Sequence, residues 1–127
     1  MSAPRFIDFH NHFYPPAYLA ALRDGPSSVR VTIDGDGNPR LHYPGDYNIA
    51  VLPQRDLAAR LEALDAHGVD TQVLSLTTPG THVETPAVAA RLASLVNDAF
   101  AEAVAGGRGR FMALATLPLN DRATSRR

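Results

Sequence analysis

The chain has 127 residues, 45% of them hydrophobic and 20% charged, with a formal net charge of -1. That is ordinary globular composition, and it gives no bias toward nucleic acid or an anionic membrane as a partner. The chain contains no cysteine, which excludes disulfides, thiolate metal sites and a cysteine nucleophile and suits a cytoplasmic setting.

The N-terminal residues lead straight into a strand-like segment, with no apolar signal core and no stretch long enough to cross a bilayer. Residues 5–13 (RFIDFHNHF) alternate, are rich in β-formers and read as a strand. Pro15 and Pro16 stop it, and 17–22 form a helical turn. Residues 29–33 and 40–43 flank Asp34-Gly35-Asp36-Gly37-Asn38, which predicts a β-hairpin insertion over about 29–43.

Leu57, Leu61 and Leu64 recur at helical spacing, so 56–67 form an amphipathic helix ending at Gly68. His67 then sits at a helix C-terminus, where the dipole favours it, while Arg60 and Asp65 read as exposed charges. Residues 69–76 (VDTQVLSL) are a buried strand closed by Thr77-Thr78-Pro79-Gly80. Thr85 followed by Pro86 marks a helix start, and Val88, Leu92, Leu95, Val96, Ala99, Phe100 and Ala103 form one stripe up to Gly106-Gly107. Residues 111–117 are a third strand, broken by Pro118. Strand, hairpin, helix, strand, helix, strand is the order of parallel βα units, an α/β fold. Residues 1–127 are taken as one domain, although a whole TIM barrel needs about 250 residues.

The chemistry centres on His10 and His12. Side chains two apart on a strand share a face, roughly 6–7 Å apart, so two imidazoles can lean onto one ion. Ordinary strand-end hydrogen bonding is the competing reading. Asp8, one step earlier, is placed to orient a ligand. His82, after the second strand, can face the same end; a solvated loop histidine is its plain alternative. Thr78 can touch substrate or simply cap its loop, and His42 in the hairpin has no partner that sequence names. Gly106-Gly107-Arg108-Gly109 follows a helix and lacks a Lys-Ser/Thr ending, so it is no phosphate loop. Arg108, Arg110, Arg122, Arg126 and Arg127 make no continuous basic face.

Residues 7–19 (IDFHNHFYPPAYL), 60–75 (RLEALDAHGVDTQVLS) and 109–119 (GRFMALATLPL) together resemble the opening of the amidohydrolase-related group that includes aminocarboxymuconate-semialdehyde decarboxylase and γ-resorcylate decarboxylase. The resemblance implies a distorted TIM (β/α)8 barrel, present here as its N-terminal βα units and truncated after about three barrel strands. It also implies one divalent metal, zinc by preference and manganese as the alternative, with His10 and His12 as ligands. In that group a further histidine and an aspartate from later strands complete the site, and no such strand occurs in this chain. The aminocarboxymuconate enzymes also carry an arginine near the position of Asp46 to Ile49, where this chain has none; Arg40 or Arg55 is left to meet a carboxylate.

Three functions follow. One is a non-oxidative decarboxylase of a small carboxylated substrate, represented by its N-terminal fragment. A second is a metal-dependent lactone or amide hydrolase of the same superfamily. The third is an inactive fragment or interaction module. Open strand edges also favour self-association into a homo-oligomer.

Overall fold

In a computed structural model the described residues are 5–120 and 126. The reading of the arginine tail and of a chain cut short there falls largely on 121–125 and 127, outside the described residues.

Two small sheets make up the architecture. The first is parallel, with β1 (Ile7–Asp8), β5 (Thr71–Leu74) and β6 (Phe111–Ala113) in the order β1-β5-β6. The second is an antiparallel meander of β2 (Arg30–Ile33), β3 (Pro39–Tyr43) and β4 (Asp46–Ile49). Helices α1 (Pro16–Asp24), α2 (Leu57–Ala66) and α3 (Pro86–Gly106) accompany them, with a short 3-10 turn at Leu52–Gln54. Parallel βα units with a hairpin excursion are what the sequence predicts.

Several details differ from expectation, among them the second barrel strand, predicted over 69–76 and formed over Thr71–Leu74. The first strand ends at Asp8, because the Asp8 carboxylate accepts the His10 backbone N–H at 3.0 Å and turns the chain out of the ladder. The expected turn at 17–22 is a nine-residue helix, opened by Pro16 and anchored by buried Tyr18 and Leu22 one turn apart. Thr85 occupies the N-cap of α3 but its side chain makes no capping bond. The third strand is only Phe111–Ala113.

The predicted hairpin forms with Val31 opposite Leu41 and Ile33 opposite Pro39. It gains a third strand: Tyr43 faces Asp46 across Pro44-Gly45, and Gly45 takes the positive φ of 87° that this two-residue connection requires. Asp56 caps α2 by accepting the Ala59 N–H at 2.8 Å, and His67 Nδ1 reaches the Ala63 carbonyl at the other end.

Paired residues of parallel strands point to the same side. Gln72 and Phe111, then Leu74 and Ala113, therefore face the helices, and Leu74 and Phe111 join the core with Tyr18, Leu41, Leu92 and Phe100. On the flanks of the parallel sheet, Phe6, Phe9, Met112 and Leu114 stand exposed. No helix among the described residues is long and apolar enough to cross a membrane.

Candidate metal centre

The segment 10–12 leaves the C-terminal end of β1, the end at which parallel barrels gather their reactive groups. There the His10 and His12 rings meet edge to face, with centroids 5.3 Å apart and planes at 77°. The pair comes together after the strand has ended, so the turn at Asp8 places it, and strand alternation does not.

Asn11 between them points inward. Its Nδ2 donates to the Val73 carbonyl at 2.7 Å and its Oδ1 accepts from Arg60. The Ser75 hydroxyl donates to the Asn11 carbonyl at 2.7 Å and lies 3.3 Å from His12 Nδ1. With its proton committed to that carbonyl, Ser75 Oγ is left to accept from Nδ1–H. This assigns the tautomer whose Nε2 carries the free lone pair. Burial, then the neighbouring His10 and Arg60, hold the His12 imidazolium below its usual range, which favours the neutral form that binds metals.

Asp8 does not contact an imidazole. Its carboxylate accepts the His10 N–H and, on the other oxygen, Gln72 Nε2 at 2.6 Å. Gln72 in turn accepts from Arg60 at 2.7 Å. Arg60 is the main correction to the sequence reading: it is 5% exposed, not a surface charge. Burial pulls its guanidinium down to about 10, which leaves it charged at neutral pH. The signal was present. Arg60 lies three after Leu57 and four before Leu64, on the apolar stripe itself.

A cleft of about 420 Å³ runs from Ser75 across the ends of β5 and β6, lined also by Thr78, His82, Leu114 and Leu117. His82 thus shares a cleft with the residue that touches His12. Thr78 is drawn the other way: its carbonyl accepts from Tyr14 and Asn48, each at 2.7 Å, and its hydroxyl from Asn48 at 2.7 Å. That is the loop-holding role. A cleft of about 560 Å³ between α2 and α3 includes none of the histidines.

Of the arginines considered for a carboxylate, Arg55 donates to the Ala50 carbonyl, and Arg40 lies 5.0 Å over the Tyr47 ring. His42 has a partner after all, Thr32 Oγ1 at 2.9 Å. Among the described residues no group of three or more histidine, cysteine, aspartate or glutamate side chains is gathered for a metal. The two imidazoles fit a divalent ion in donor chemistry, as half of a four-ligand site.

Parallel βα units with their polar cluster at the strand ends match about a third of the TIM barrels of amidohydrolase-type decarboxylases. The relatives are more particular. The chain is 34% identical over 114 residues to the decarboxylase yanB of Aspergillus niger, covering 88% of this chain and 26% of that protein. It is 39% identical over 83 residues to the γ-resorcylate decarboxylase of Rhizobium radiobacter, covering 61% and 25%. Among solved structures, Metarhizium anisopliae IDCase superposes with a TM-score of 0.77 at 25% identity, over 96% of this chain and 37% of that one. A dihydroxybenzoic acid decarboxylase from Polaromonas, with bound manganese and the inhibitor 2-nitroresorcinol, gives 0.67 at 25% identity, over 97% and 33%. No family model matches the chain. Its homologues are decarboxylases of the amidohydrolase type, which are enzymes, and it spans about a quarter of the length of the curated relatives it matches.

Proposed function

We propose that the chain contributes the first two metal ligands, His10 and His12, to a carboxy-lyase acting on a small carboxylated substrate. The observation that carries this reading is the edge-to-face imidazole pair beside Ser75 at the strand ends. Support for the substrate class comes from the relatives, named for the decarboxylation of γ-resorcylate or dihydroxybenzoic acid.

When bound, a divalent metal supplies Lewis-acid polarisation of a ligand oxygen. Zinc suits an imidazole pair best, and the manganese of the Polaromonas relative keeps that ion as the alternative. The chain's own residues orient and enclose. Ser75 fixes the His12 tautomer, and Asp8 acts on His10 through the backbone. His82 stands at the cleft as a substrate contact, and Leu114 and Leu117 offer an apolar wall suited to an aromatic ring. Thr78 contributes by holding the loop. Residues 1–127 act in this reading as one partial barrel domain, cytoplasmic and open to self-association.

Calorimetric titration of the chain with zinc and with manganese, beside the His10→Ala/His12→Ala double variant, tests it. One ion per chain, lost in the double variant, is the expected result. Binding that the double variant keeps overturns these ligands; weak or no binding by either form means that the half-site needs ligands from outside this chain.

A further inference from the structure

Among the described residues, no carboxylate touches the buried Arg60. Its Nε donates to the Pro53 carbonyl at 2.7 Å, Nη1 to Asn11 Oδ1 at 3.0 Å and to Gln72 Oε1, and Nη2 to the His12 carbonyl. The guanidinium also lies 5.2 Å from the centre of the Phe13 ring. Asp8 is reached only through Gln72. Burying a cation without a direct counterion is costly, and a leucine or methionine on this stripe of α2 would pack beside Leu57 and Leu64 without that cost. Stability alone therefore does not account for an arginine here.

Its acceptors do. All but the Pro53 carbonyl belong to the segment 10–12 or lead to it. Arg60 holds the carbonyl of His12 and the side chain of Asn11, while Asp8, tied to Arg60 through Gln72, holds the N–H of His10. Both ends of the tripeptide thus hang from one polar network. A planar fork of donors can serve side-chain and main-chain acceptors in different directions at once; a lysine ammonium at the same depth cannot.

We propose that Arg60 is the positioning residue of the histidine pair, setting the two imidazoles edge to face before any metal arrives. The inference rests on the metal-centre reading for its purpose, though not for its geometry. The test uses the chain with labelled histidines and the variants Arg60→Lys and Arg60→Met. In the metal-free protein, rings 5.3 Å apart should give a nuclear Overhauser effect between His10 and His12 ring protons. Variants that keep the circular dichroism of the parent should lose that signal and bind zinc about 10- to 100-fold more weakly.

A folded variant with the ring signal intact and zinc affinity unchanged overturns the proposal. So does absence of the signal in the parent, or unfolding of both variants, which would make Arg60 purely structural. If Arg60→Met alone unfolds, Arg60→Lys decides. The two readings separate cleanly. Loss of the ring signal in variants of a chain that never binds zinc keeps the positioning role and shows that the pair holds no metal without further ligands. Equal zinc binding by parent and variants does the reverse.

Discussion

Arg60 Nη1 donates to Asn11 Oδ1 across 3.0 Å although 49 positions separate the two residues. Asn11 is thereby a joint: it accepts from α2 and donates to the Val73 carbonyl of β5 at 2.7 Å. Truncation to alanine leaves one acceptor and one donor of the network without a partner. Asn11→Ala should cost about 1–3 kcal/mol, the range for an unsatisfied buried polar group. A urea midpoint within error of the parent would show that the joint carries no load.

Gly107 closes α3 where Phe111 begins β6. A Cβ there would come within 2.7 Å of the Ala103 carbonyl oxygen and within 2.7 Å of Phe111 Cδ2. Since φ is -80°, backbone strain is not the issue; crowding is. Gly107→Ala should destabilise by about 1–3 kcal/mol, as overpacking does, by pushing Phe111 out of the core. Thermal melts check the loss, and a Phe111→Leu change in the same chain should recover part of it.

The alternation of strands and helices was legible because hydrophobic period is a local property: Leu57, Leu61 and Leu64 announce α2, and the tetrad Thr71 to Leu74 announces a buried strand. The histidine pair was legible as a pair. Its placement was not, because the turn at Asp8 depends on a side chain capping a backbone N–H two residues on, which overrides the β-propensity of Phe9 and Phe13. Arg60 was misread for a related reason. Charge suggests solvent, and it is acceptors distant in sequence, at Asn11, Gln72 and His12 together with the Pro53 carbonyl, that make burial tolerable. The third meander strand had its signal in Pro44-Gly45, but Asp46-Tyr47-Asn48-Ile49 is a weak strand former without Leu41 and His42 beside it.

Tyr18 is fully buried, and its hydroxyl donates to the Gly80 carbonyl at 2.7 Å; burial, with Tyr14 and Glu84 nearby, raises its pKa. The bond ties α1 to the loop that follows β5 and forms one side of the cleft. Tyr18→Phe keeps the packing and removes one hydrogen bond, so a loss of about 0.5–1.5 kcal/mol is expected. Amide exchange should speed up locally around Gly80. Faster exchange spread evenly over α1 and α3 would instead mean that the hydroxyl supports the whole core.

Asp34 organises the tip of the hairpin. Its carboxylate accepts the backbone N–H of Asn38 at 2.8 Å and of Asp36 at 2.9 Å, and the bond from Asn38 is the chief reason its pKa lies below the ordinary 3.8. Nearby Arg40 acts in the same direction. A depressed folded-state pKa means that the unfolded chain takes up protons first on acidification. The stabilisation is therefore present above 3.8 and is lost as pH falls through the lower folded value. The side-chain carboxyl carbon of Asp34 should titrate with a midpoint below 3.8 in a carbon-detected NMR series. Between about pH 5 and about pH 2 the urea midpoint of the parent should fall further than that of Asp34→Asn, which has no proton to gain. Parallel curves for the two proteins would mean that the turn is held by Gly37, at its positive φ of 81°, and not by the carboxylate.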